Sequence, residues 1–177
     1  MSRMSALNIP VIETERCILR APEERDFEAA AAFGESERSK WVGGPYPRRA
    51  AWGVLLACIG HWALRGYGQW MIEDRATGEA AGRTGFLFND GWHEPEIGWW
   101  LHDGFEGRGL AFEATQAALA YGAEHFGLDG PISYIRQGNT RSAALAERLG
   151  ATPEREVEFF DAPCMIWRHP NRAEAAA

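Results

Sequence analysis

Residues Gly104 to Ala114 (GFEGRGLAFEA) have the types and order of an anion cradle. Gly107 and Gly109 allow a sharp turn and a close backbone approach. Leu110, Ala114, Ala117, Ala118 and Tyr121 then fall at helical spacing. Successive N–H groups at that helix start converge where an anion would sit. A strand-to-helix turn with no ligand satisfies the same residues. Two nucleotide motifs fail: the dinucleotide fingerprint needs a glycine where Phe112 stands, and the P-loop needs a Gly-Lys-Ser/Thr absent here. Just upstream, Glu96 to His102 (EIGWWLH) reads as a strand, with Glu94, Glu96, Gly98, Trp100 and His102 on one face unless a bulge intervenes. A carboxyl close to apolar Trp rings has its pKa raised, which suits it to take a proton near neutral pH. The plainer reading of Glu96 is a surface strand residue, with Glu94 and His93 as further contenders for the proton. Gly98, inside a strand pattern, signals a bulge or a close backbone approach.

Other reactive side chains carry less. Cys17, Cys58 and Cys164 are odd in number, far apart and without a CxxC pair, so they read as reduced, packed thiols. The five histidines lack ligand spacing, and no metal is expected. Trp41, Tyr46 and Trp92 fall in predicted loops, where aromatic side chains shape ligand pockets. The net charge of −7 argues against a nucleic-acid footprint. The N-terminus lacks the apolar run of a signal peptide, and the longest apolar stretch, Ala50 to Ile59, is too short to span a bilayer. The expectation is a cytoplasmic protein with no membrane partner.

The elements that must position these residues follow from periodicity and punctuation. One domain over residues 1–170 is expected, with 171–177 a fraying tail. Ile9 to Arg20 reads as a first strand, and Glu23 to Phe33 as a helix that Asp26 caps and Gly34 ends. Ser39 to Pro47 is an irregular loop. A second helix spans Arg48 to Arg65. Gln69 to Asp74 and Ala80 to Phe88 form a hairpin, and His93 to His102 the next strand. After the central helix come the strand Pro131 to Arg136, a helix capped at Gly138-Asn139-Thr140 and stopped by Gly150, and a closing hairpin of Glu156 to Phe160 with Cys164 to Arg168.

Two segments in this order, EIGWWLHDGFEGRGLAFEA and NTRSAALAERLGA, are far more specific together than apart. On them, and over almost the whole chain from ETERCILRAP onward, the sequence resembles the GNAT superfamily of acyl-CoA-dependent N-acyltransferases, most of all its RimJ/RimL-like branch of ribosomal-protein N-terminal alanine acetyltransferases. The resemblance implies a mixed α/β (α+β) fold, with about seven mostly antiparallel strands, about four helices and a parallel pair splayed around the cofactor. It implies acetyl-CoA as co-substrate, its pyrophosphate held by backbone amides of Gly107, Arg108, Gly109, Leu110 and Ala111. Glu106 stands where the family usually has Gln or Arg. The pantetheine arm would lie along Trp100, Leu101 and His102. Asn139 would bind that arm and order the site, and Ser142 would protonate the departing thiolate. Glu96 matches the position of the base in many such enzymes. Trp41, Tyr46 and Trp92 would shape the acceptor pocket.

The implied reaction is direct acetyl transfer, through a tetrahedral intermediate, to a primary amine, either a protein N-terminus or a small molecule. A longer acyl group, or a CoA-binding sensor that has lost turnover, are the alternatives. A homodimer is compatible with the surplus of aromatic residues.

Overall fold

The computed structural model describes residues 7–175. Its frame is one eight-stranded sheet in the order β1-β2-β3-β4-β5-β6-β8-β7. The N-terminal segment, expected as one strand, is two: β1 (Ile12–Glu13) and β2 (Cys17–Arg20) fold back on each other antiparallel. Thr14 makes that reversal, since its Oγ1 donates to Cys17 O and accepts from Cys17 N, both at 3.0 Å.

Helix α1 (Phe27–Glu35) follows a 3-10 turn at Glu24–Asp26. Asp26 closes a capping box with Glu23 on that turn rather than capping α1 through its side chain. Gly34, expected to end the helix, lies inside it. It is glycine because the Tyr46 ring packs there, and a Cβ would stand 2.3 Å from Tyr46 Cε2. The irregular loop is partly ordered as a 3-10 segment, Glu37–Val42, that ends at left-handed Gly43. Helix α2 (Arg48–Arg65) occupies the residues its spacing predicts and stops at left-handed Gly66.

Strands β3 (Gln69–Asp74), β4 (Ala80–Leu87) and β5 (Glu96–Leu101) form an antiparallel meander. The β4–β5 register runs without a shift from Gly82↔Leu101 to Leu87↔Glu96, so the bulge suggested for Gly98 is absent. Helix α3 (Leu110–His125) packs Leu110, Ala114 and Ala118 on Trp70, Ile72, Phe86 and Ile97, all buried. The small residues matter because a Cβ on Gly122 would stand 2.3 Å from Phe86 Cζ. Strands β6 (Ile132–Arg136), β7 (Thr152–Phe159) and β8 (Ala162–Arg168) complete the sheet, with helix α4 (Thr140–Arg148) between β6 and β7 in the chain. Both closing strands run longer than their apolar cores suggested. Of the tail expected to fray, residues 171–175 comprise Asn171 and α5 (Arg172–Ala175), with Asn171 Oδ1 accepting from Glu174 N at 2.9 Å and Glu174 Oε2 accepting from Asn171 N at 3.0 Å, while 176–177 lie outside the described residues.

A buried ion cluster ties β2, β3 and the start of α1 together. The Arg20 guanidinium grips Asp26 through two bonds of 2.8 and 2.9 Å and also pairs with Glu73. Arg20 and Asp26 are both buried.

Candidate active site

The site begins where the sheet opens. Strands β5 and β6 are parallel and register at a single pair, Glu96↔Ile132, with Ile132 N donating to Pro95 O at 3.4 Å. In a parallel ladder the next bond on this side would run from Tyr134 N to Ile97 O. Both groups are taken by side chains instead. Tyr134 N donates to Glu96 Oε2 at 3.2 Å, and Ile97 O accepts from Ser133 Oγ at 2.6 Å. Behind Ser133, the buried His169 ring places Nε2 2.9 Å from the hydroxyl. Burial pushes the His169 pKa down to about 4, so the ring is neutral, and Nε2–H donates to Ser133 while Ser133 donates onward. Thus two side chains wedge the strands apart.

Beyond the wedge no strand pairs with this edge of β5 among the described residues. His102 N donates to Ala81 O at 2.8 Å, and antiparallel alternation gives Trp100 the same β4-facing state. The backbone groups turned to the opening are therefore those of Trp99 and Leu101. Of the residues expected along the arm, Trp100 and Leu101 line the cleft that follows, whereas His102 faces a different cavity and bonds Ala80 O through Nδ1.

That cleft, of about 350 Å³, runs from the strand gap to the glycine loop. Gly107 and Gly109 both take positive φ, 76° and 77°, and Gly109 is the N-cap of α3. Gly107, Gly109, Leu110 and Ala111 line the cleft; Arg108 does not, its guanidinium being held 2.9 Å from buried Asp74. Arg16 braces the loop from outside by pairing with Glu113 and donating to Arg108 O. Three cations that spacing did not single out for phosphate stand on the cleft wall: Arg38, Arg141 and Arg148. Arg38 comes from the 3-10 segment, donates to Leu101 O at 3.0 Å and forms an ion pair with Glu106. The acid at the family's Gln/Arg position is thereby neutralised in place.

A second cavity, of about 620 Å³, lies on the other side of the gap. The two share Trp41, Val42, Trp99, Trp100, Asn139 and Ser142. Asn139 caps α4: its Oδ1 accepts from Ser142 N at 3.3 Å and its Nδ2 donates to Ser142 Oγ at 3.0 Å. Trp41 and Trp92 line this cavity; Tyr46 does not, because its ring is spent against Gly34. Trp92 packs edge-on to Tyr134 and Phe159, giving an aromatic wall. His61, on the α2 wall, is neutral: Nδ1–H donates to Tyr67 O at 2.8 Å, Nε2 accepts from Phe88 N at 3.0 Å, and burial lowers its pKa.

Glu96 is the only carboxylate on the cavity wall among the described residues. Surrounding protein pushes its pKa up to about 7, against the opposing pull of the Tyr134 amide. The regular strand alternation puts Gly98 beside it. A Cβ there would stand 3.7 Å from Glu96 Oε1 and 3.6 Å from Gln69 Nε2, so one empty position is flanked by a carboxyl oxygen and an amide donor. The alternatives to Glu96 are engaged elsewhere: Glu94 chelates Arg168 at 2.7 and 2.8 Å, and His93 Nδ1 lies 2.9 Å from Tyr134 Oη.

Comparison with known proteins gives this chain a family. The family model described as "Acetyltransferase (GNAT) domain" matches residues 16–152. The chain belongs to the GNAT acetyltransferase family. An acetyltransferase from Agrobacterium tumefaciens str. C58 superposes with a TM-score of 0.85 at 36% identity, covering 96% of this chain and 99% of that one. The Bacillus subtilis (strain 168) protein YkkB is 29% identical over 89% of this chain and 94% of its own. RimL, a ribosomal L7/L12 alpha-N-protein acetyltransferase solved in complex with coenzyme A, shares the fold with a TM-score of 0.77 at 20% identity, over 93% of this chain and 99% of that one.

Proposed function

We propose that this GNAT protein transfers the acetyl group of acetyl-CoA to a primary amine, with Glu96 as the base. The observation that carries the reading is the junction: the cleft with the glycine loop and the cavity with Glu96 meet at Asn139 and Ser142, beside the open edge of β5. The cleft suits a phosphate-bearing cofactor. Nothing lies within 4 Å of a Cβ placed on Gly107, the loop opens a sixteen-residue helix, and three arginines stand on the wall. Acetyl-CoA supplies the activated thioester. The chain's own residues do the rest. Loop amides and Arg141 and Arg148 would hold phosphate, and the strand-free edge of β5 at Trp99, next to the Leu101 carbonyl that Arg38 occupies, would receive the amide-bearing arm as a strand would. Glu96 takes the proton of the acceptor ammonium, and Ser142 Oγ, fixed by Asn139, returns one to the departing sulfur.

Calorimetric titration with coenzyme A, paired with thiol release against a panel of primary amines, tests this. Binding with amine-dependent thiol release is expected; absence of binding removes the cofactor assignment, and binding without release leaves a sensor.

Gly98→Ala sharpens the test. The added methyl makes only ordinary contacts, and the residue has no left-handed φ, so the melting temperature should hold. The methyl nevertheless occupies the position between Glu96 Oε1 and Gln69 Nε2. Since displacement of a reacting group by about 1 Å costs up to about a hundredfold, turnover should fall by at least about tenfold with coenzyme A affinity kept. A fully active Gly98→Ala enzyme would place the acceptor elsewhere.

A further inference from the structure

Resting on that acetyltransfer reading, we propose that Gln69 selects the acceptor by donating from Nε2 to a carbonyl oxygen next to the reacting amine, so that the substrates are apolar 2-amino carbonyl compounds. Gln69 opens β3 and is only 2% exposed. Among the described residues its Nε2 has no hydrogen-bond partner. A Cβ on Gly98 would stand 3.6 Å from this free donor and 3.7 Å from Glu96 Oε1, so the donor and the carboxyl border the same empty position.

The orientation of the amide is fixed from behind. Arg83 is buried, and its Nη1 donates to Cys58 Sγ at 2.7 Å. With one lone pair so engaged, the thiol donates to Gln69 Oε1 at 3.6 Å. The relay leaves Nε2 as the end that points at the cavity. Gln69 and Cys58 line the cavity that holds Glu96 and are absent from the cofactor cleft, so the donor serves the acceptor rather than the thioester.

The chemistry then narrows the ligand. An ammonium offers only N–H donors, which a carboxamide N–H cannot bind, so Nε2 requires a lone pair beside the amine. A carbonyl on the adjacent carbon supplies one while the nitrogen stays at Glu96. The rest of the cavity favours an apolar body: Trp92 and Phe159 form one wall, His61 has both nitrogens engaged, and Arg136 donates to Lys40 O at 2.9 Å. With no second carboxylate on the wall among the described residues, a polyamine would leave its further ammonium groups unpaired.

The test compares phenylalaninamide with phenethylamine, which share a body and differ in the carbonyl group. Each is assayed with the intact protein and with Gln69→Met, which keeps the shape and removes the donor. Taking the variant-to-parent ratio of kcat/KM for each compound cancels their different basicities. The loss on phenylalaninamide should exceed that on phenethylamine by about tenfold, the effect of one unmade hydrogen bond in a buried site. Equal losses overturn this proposal and leave acetyl transfer standing. Absence of thiol release with either compound in the intact protein overturns both. Should Gln69→Met fold poorly, Cys58→Ala removes the relay while leaving the Gln69 side chain itself in place. It should shift the same ratio in the same direction, and an unchanged ratio counts against the proposal; Cys58→Ser, which can relay the bond, should restore it.

Discussion

Glu96→Gln is expected to lower turnover about a hundredfold, the usual contribution of a positioned base, while coenzyme A binds as before. The amide keeps an oxygen for Tyr134 N, so the bond that helps part β5 from β6 survives and only proton affinity is lost. The intact enzyme should lose activity as pH falls through about 7, where Glu96 becomes protonated, and this limb should vanish in the variant. A limb that persists removes Glu96 from proton transfer. Stability supplies an independent check. The folded-state pKa of Glu96 is raised to about 7 from an ordinary 4.5, so its ionisation costs stability progressively between those values and in full above them. Glutamine carries no such cost. The variant should therefore melt higher than the parent at pH 8 and no higher at pH 4, a gain in stability from a loss of function.

The second large effect concerns the buried cluster under α1. Arg20→Leu should destabilise the protein by about 3–5 kcal/mol, because removing one partner leaves the Asp26 carboxylate buried and unopposed. For a chain of this size that is a fall of about 10 °C in melting temperature. The guanidinium and the Glu23 amide together hold the Asp26 pKa below its ordinary 3.8 despite burial. Their stabilisation is thus present above pH 3.8 and lost as pH falls through the lower folded value. The deficit of Arg20→Leu, measured by denaturant titration, should accordingly be large at pH 7 and shrink as the pH falls below 3.8. Adding Asp26→Asn should restore part of it at pH 7. A single variant with parental stability at pH 7 would show that water already reaches the cluster.

What the sequence made legible was local. The turn at Gly107 and Gly109, the Asn139 cap and the stop at Gly150 depend on a few consecutive residues, and each sits where its own chemistry puts it. The strand face holding Glu96, Gly98 and Trp100 was likewise readable from alternation. What escaped depends on residues distant along the chain. Gly98 has the look of a bulge, but an unbroken pairing with β4 leaves it as space between Glu96 and Gln69. Arg38 carries no periodic signal, and only the path of the 3-10 segment brings it to Glu106. Tyr46 is drawn beneath α1 by a glycine that looked like a helix stop. Arg108, placed by its motif beside phosphate, is claimed by Asp74 from the β3–β4 hairpin. Ser133 and His169 gave no sign at all, since one is a small residue within a strand and the other follows β8.

Ser133, backed by His169, acts with Glu96 on how the proposed cofactor would enter. Because Ser133 and Glu96 satisfy the two backbone groups that would otherwise zip the sheet shut, the slot proposed for the thioester arm exists before anything occupies it. Entry then requires no peeling of one strand from another, so association should proceed as a single fast phase whose rate rises linearly with ligand concentration, free of the plateau that a slow opening step would impose.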